Sequence, residues 1–139
     1  MGKLQGESLD RRFFHHLKAT LLERTICATA GSAGYALTLG RRIGTDPEAI
    51  DEARYIINWG SNTAVTNSHL WVRMVAARKK HGAKIVTIDP YRTLTAERSD
   101  WHLAPQVGTD AALALGMMHV LFRERWIDEE YVRRYCQGT

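Results

Sequence analysis

At 139 residues, with 45% apolar and 24% charged side chains, the chain has the size and composition of one globular domain able to bury a real core. No apolar run approaches the roughly 20 residues that span a bilayer, and Gly2-Lys3-Leu4-Gln5-Gly6 lacks a signal peptide's apolar core; no direct membrane insertion is expected and the compartment is left open. The net charge of +4 is scattered over Arg11, Arg12, Arg41, Arg42, Arg78, Lys79, Lys80, Arg133 and Arg134 instead of forming one stripe with interleaved aromatics, so no nucleic-acid partner is expected.

From Leu9 to Leu22, Phe13, Phe14, Leu17, Leu21 and Leu22 recur at helical spacing. Adjacent His15 and His16 would point about 100° apart on a helix, which prevents joint chelation of one metal. Next comes Thr25-Ile26-Cys27-Ala28-Thr29-Ala30-Gly31-Ser32-Ala33-Gly34-Tyr35, where small side chains suit either close helix packing or close approach of a bulky ligand. Cys27 and Cys136 lie far apart in unlike settings, which describes neither a disulfide framework nor a zinc knuckle. Asp46-Pro47-Glu48 has the chemistry of a helix start, with an acceptor for orphan amides and proline at the first position. A short helix to about Arg54 follows.

Tyr55-Ile56-Ile57 opens a strand running to Trp59, as its β-branched and aromatic residues require. Gly60-Ser61-Asn62 makes the turn, and a helix continues from about Thr63 to His81, closing on Arg78-Lys79-Lys80 and Gly82. Lys84 to Asp89 is a second strand, so Tyr55–Asp89 forms a β-turn-α-β unit with parallel strands. A short helix around Thr95 to Arg98, a third strand Trp101–Ala104, an apolar helix from Asp110 to about Arg125 and a last helix capped by Asp128 complete the chain. The fold class is α/β: a Rossmann-like parallel sheet flanked by helices (residues 46–139), preceded by a helical, small-residue lead-in (residues 1–45).

Three strand-end turns carry the candidate chemistry: Trp59-Gly60-Ser61-Asn62, Asp89-Pro90-Tyr91-Arg92-Thr93 and Gly108-Thr109-Asp110. In a parallel sheet the carboxyl ends of strands share one edge, which is where open α/β sheets bind ligands. Gly60 lets a ligand approach the backbone, and Ser61 and Asn62 can donate to phosphate or ribose oxygens or simply cap the next helix. Asp89 can take ribose hydroxyls, Arg92 can pair with phosphate, and Asp110 can accept two hydrogen bonds from a guanine edge. An aspartate after a strand is also an ordinary cap, and Arg92 an ordinary solvated arginine.

Trp-Gly-Ser-Asn, a His-Leu-Trp helix, Ile-Asp-Pro-x-Arg-Thr, and Gly-Thr-Asp before an Ala/Leu-rich helix together resemble the molybdopterin oxidoreductases of the dimethyl sulfoxide reductase type. The resemblance runs from about Phe13 to the end. It implies that Trp59, Gly60, Ser61, Asn62, Asp89, Arg92, Thr93, Gly108 and Asp110 belong to a guanine-dinucleotide site. It also implies a bis(molybdopterin guanine dinucleotide) cofactor holding molybdenum or tungsten, with two-electron redox chemistry on an unidentified substrate. The Thr25–Gly34 segment is similar to the one that supplies the protein ligand to the metal, which falls on Cys27; a small buried cysteine is the other reading. Asn67-Ser68-His69 departs from the family's frequent His-Pro. The family's catalytic subunits are several times longer, so the chain is expected to be an internal fragment, inactive alone. Its partners would be the remaining domains and electron-transfer subunits, and any iron–sulfur cluster would lie outside this chain. A non-catalytic guanine-nucleotide-binding α/β domain is the alternative.

Overall fold

The computed structural model describes residues 9–21, 25–41 and 43–137. The chain divides into two units, Met1–Gly44 and Thr45–Thr139. Among its described residues the first holds two helices, α1 (Leu9–His16) and α2 (Cys27–Leu39), neither with a buried residue. α1 is shorter than its apolar spacing predicts: Lys18 takes a positive φ of 54°, which a right-handed helix cannot continue through, and the expected end at Leu22 lies outside the described residues. The small-residue stretch does become a helix, but its positions Ala28–Gly34 are exposed apart from half-exposed Ser32.

The second unit is an α/β layer built on three parallel strands in the order β1 (Tyr55–Trp59), β2 (Lys84–Ile88), β3 (Trp101–Leu103). Tyr55 pairs with Lys84 and Trp59 with Ile88, while Val86 pairs with Trp101. Parallel pairing needs a crossover, and here it is α3 (Thr63–Thr66) followed by α4 (Ser68–His81). Ile56 and Ile85, neighbours in the ladder, form one apolar face against Trp71, Met74 and Ala77 of α4, with Ala83 closing the cluster. Ile85 is fully buried and Met74 2% exposed. A 3-10 helix (Pro47–Glu52) covers the side of α4, tied by Arg73 to Glu48 at 3.0 Å and to Asp51 at 2.5 Å. Lys80 hydrogen-bonds Glu52 at 2.9 Å and, with His81 nearby, holds its carboxyl below the ordinary carboxylate range.

The crossover is not the single helix predicted from Thr63 to His81. Asn67 breaks it with φ −148° and ψ 68°, and its side chain accepts from Leu70 N at 3.4 Å, capping α4. An asparagine amide competes for backbone donors well enough to restart a helix. The Pro47 segment is 3-10 in place of α, with Asp46 capping it as expected. α5 (Leu94–Arg98), α6 (Asp110–Arg123) and α7 (Glu129–Tyr135) follow the predicted order, α6 ending two residues early where Arg125 adopts φ 56°.

Large apolar areas face outward. Tyr55, Ile57 and Trp101 lie exposed on the sheet face opposite α4, although parallel sheets are ordinarily covered on both sides. Leu115, Met118, Leu121 and Phe122 of α6 are exposed, as are Phe13 and Phe14 of α1. No helix among the described residues is long and apolar enough to cross a membrane. This division of burial sets a stability contrast. Met74→Ala should lower the unfolding free energy of the chain by about 2–5 kcal/mol, whereas Leu115→Ala should change it by less than about 0.5 kcal/mol. Urea titration of both variants measures the difference; equal losses would mean that α6 is packed.

Candidate functional site

β1 ends in a turn whose hydrogen atoms can be assigned one by one. Gly60 sits at φ 59°, a conformation that favours glycine, and its N–H extends the ladder to Ile88 O at 2.8 Å. Buried Asn58 donates from Nδ2 to Ser61 O at 2.6 Å, so its Oδ1 accepts, here from Thr63 Oγ1 at 2.5 Å. With its only proton used there, Thr63 must accept from Ser61 Oγ at 3.0 Å. The Ser61 hydroxyl therefore retains acceptor capacity and no free proton. Asn62, expected to cap its own helix or meet a ligand, makes no cap on α3. Its Oδ1 instead accepts from Thr95 Oγ1 at 2.9 Å and Thr95 N at 3.4 Å, which caps α5 across the sheet edge.

The second turn follows β2. Asp89 is pinned to β3 through its backbone: its N–H donates to Leu103 O at 3.0 Å and its carbonyl accepts from His102 Nε2 at 2.8 Å. Its Oδ1 accepts from Tyr91 N at 2.9 Å, folding the turn and leaving Oδ2 for other donors. Thr93 caps α5 by accepting from Ala96 N at 3.2 Å. Arg92 is exposed and makes no ion pair among the described residues.

The third turn reaches the same edge from far along the chain. Gly108 adopts φ 84°, and Thr109 Oγ1 turns back to Gln106 O at 2.6 Å. Asp110 then begins α6, and its Oδ1 accepts from Trp59 Nε1 at 2.7 Å. A hydrogen bond to a carboxylate is short and strong for its type, and this one fixes the start of α6 to the end of β1. The indole N–H is thereby used within the protein, while Asp110 Oδ2 has no partner among the described residues.

All three turns predicted from the sequence thus lie at the carboxyl edge of one sheet, joined by Asn62–Thr95 and Trp59–Asp110. Sequence reasoning passed over Asn58, Thr63, Thr95 and His102, which organise this edge. Thr95 and Thr63 are 0% and 1% exposed, and fully buried hydroxyls between strand ends are the signal that patterning does not carry. Cys27, in the other unit, is the first residue of α2 and is exposed. Its neighbours Thr25 and Thr29 bond to each other and, through Thr29 Oγ1, to Thr25 O at 3.1 Å. No group of three or more His, Cys, Asp or Glu side chains is placed to hold a metal ion among the described residues.

The carboxyl edge of a parallel sheet is where open α/β folds bind ligands. The family model described as molybdopterin oxidoreductase matches residues 14–133. The chain belongs to the molybdopterin oxidoreductase family. It is 47% identical over 138 residues to "Probable oxidoreductase YoaE" of Bacillus subtilis, covering 99% of this chain and 20% of that protein. It is 40% identical over 91 residues to the F420-dependent formate dehydrogenase subunit alpha of Methanocaldococcus jannaschii, covering 66% of this chain and 13% of that protein. Acetylene hydratase from Pelobacter acetylenicus has a similar structure, with a TM-score of 0.65 at 32% identity over 81% of this chain and 15% of that one. The chain therefore spans a fifth or less of the length of these relatives. Membership of the family implies a molybdopterin cofactor carrying molybdenum or tungsten.

Trp59→Phe keeps an aromatic side chain but replaces the indole with a phenyl ring, which has no N–H to donate to Asp110. Amide exchange across residues 108–116 should accelerate about fivefold, equivalent to roughly 1 kcal/mol for a partly solvated charged hydrogen bond. Hydrogen-exchange mass spectrometry reads this; unchanged exchange would show that α6 is held by something else.

Proposed function

We propose that this chain is the dinucleotide-holding segment of a molybdenum or tungsten oxidoreductase catalytic subunit, and that its strand-end turns bind a molybdopterin guanine dinucleotide. The observation that supports this most is the convergence of three sequence-distant turns on one edge by two specific hydrogen bonds. Asp110 would accept from the guanine ring N–H and amino group, Asp89 would take ribose hydroxyls, and Arg92 with the Gly60 and Gly108 turns would receive the phosphates. Thr93 and Trp59 would shape the site from behind, through the α5 cap and the Asp110 bond.

The names of the relatives cover formate dehydrogenase, nitrate reductase and acetylene hydratase. A segment shared by proteins with such different names fits cofactor placement better than substrate choice, because the cofactor carries the chemistry and the protein orients it. When bound, the metal centre would supply two-electron redox chemistry. Cys27 offers an exposed thiol, a soft donor suited to such a metal, and is proposed as its protein ligand. The remaining domains, which would complete the second dinucleotide site, the electron-transfer subunits and any iron–sulfur cluster would belong to the rest of the polypeptide or its partners.

The test uses the complete protein that carries this chain, produced in a host that makes the cofactor. Asp110→Asn exchanges one acceptor oxygen for a donor facing a guanine donor. Guanine and metal per polypeptide should both fall at least tenfold, with the melting temperature within a few degrees of wild type. Unchanged contents would reduce Asp110 to a helix-start residue, and guanine without metal in the wild type would favour a non-catalytic nucleotide domain. Metal K-edge absorption on Cys27→Ala should lose one sulfur scatterer, together with turnover; an unaltered metal environment would remove Cys27 from the metal.

A further inference from the structure

Thr95 lies fully buried at the start of α5, and two of its groups meet the same atom of Asn62. Its backbone N–H, which can only donate, points at Asn62 at 3.4 Å, so the Asn62 atom facing it must be the amide oxygen. The hydroxyl agrees: Thr95 Oγ1 accepts from Ala64 N at 2.9 Å and sends its own proton to Asn62 Oδ1 at 2.9 Å. Behind it, Ser99 Oγ donates to Thr95 O at 2.8 Å, and Ser99 Oγ stands 2.6 Å from buried Thr87 Oγ1 on β2. The amide is thereby held in one of its two orientations by donors from a rigid, buried chain. Nothing in the turn binds the other end: Nδ2 has no hydrogen bond among the described residues, and the residue is half-buried at the strand-end edge.

We propose that Thr95 is a positioning residue that locks the Asn62 amide so that its NH2 group, and not its oxygen, faces the ligand, making Asn62 a dedicated donor to an acceptor oxygen of the dinucleotide. The proposal rests on the reading of this edge as the dinucleotide site. It gives the first turn a fixed polarity: Asn62 donates, while Ser61, whose proton goes to Thr63, only accepts.

Three variants of the complete protein test it, with guanine released by acid hydrolysis counted per polypeptide. Asn62→Asp keeps an oxygen for both Thr95 donors but replaces the outward NH2 with a second acceptor, and guanine content should fall at least tenfold while the melting temperature moves little. Thr95→Ser keeps N–H and hydroxyl and should retain guanine within about twofold of wild type. Thr95→Val removes the hydroxyl at constant shape and should lower guanine content at least fivefold, with Thr95→Ser as the rescue. Should Thr95→Val fail to fold, the Asn62→Asp result decides alone. Guanine present in wild type and undiminished in Asn62→Asp would overturn the donor assignment. A wild-type protein without guanine would instead overturn the dinucleotide reading itself, so the two failures are distinguishable.

Discussion

The parallel pairing of β1 with β2 is the constraint on which the site depends. Because Trp59 stands opposite Ile88, the chain leaves both strands at the same level and on the same edge, and whatever follows each strand must meet there. β3 continues the arrangement, and the Asp89 backbone is bonded on both sides to it. Hydrophobic burial under α4 holds the sheet together, but burial has no direction. The placement of the turns comes from hydrogen bonds with defined donors and acceptors.

Those bonds divide the polar residues of the edge into two kinds. Asn58, Thr63, Thr95 and Ser99 are buried or half-buried with their groups used inside the protein, which is the condition for a polar network to stiffen a core instead of weakening it. Asn62, Asp89 and Asp110 each give one atom to that frame and keep the other: Nδ2, Oδ2 and Oδ2. One anchored atom fixes the angle of the remaining one before any ligand arrives, and pre-set angles reduce the ordering cost of binding. The exposed apolar faces of β1, β3 and α6 belong to a different role. Patches of this kind mark surfaces that meet other polypeptide, and the relatives are five or more times longer than this chain.

Much of the fold was legible because alternating β-rich and amphipathic segments are local signals. The strands at Tyr55, Lys84 and Trp101 emerge within a residue of their expected ends, and the family motifs fall on the three turns. What could not be read was either conformational or long-range. Lys18 and Arg125 end helices through positive φ that no residue type announces. Asn67 restarts a helix by side-chain competition within an otherwise helical pattern, at the same Asn67-Ser68-His69 that departs from the family motif. Thr95 and Trp59 meet partners 33 and 51 residues away, so their roles appear only once the sheet edge is assembled. The small-residue segment around Cys27 formed the helix its composition allowed, yet as an exposed one.

The most direct test is the structure of the complete, cofactor-loaded protein at a resolution that shows the guanine ring. The guanine edge should lie within hydrogen-bond distance of Asp110 Oδ2, with Asn62 Nδ2 on an oxygen of the same dinucleotide and Trp59 Nε1 still on Asp110 Oδ1. A guanine bound elsewhere, with the Asp110 and Asn62 side chains facing only protein or solvent, would contradict it.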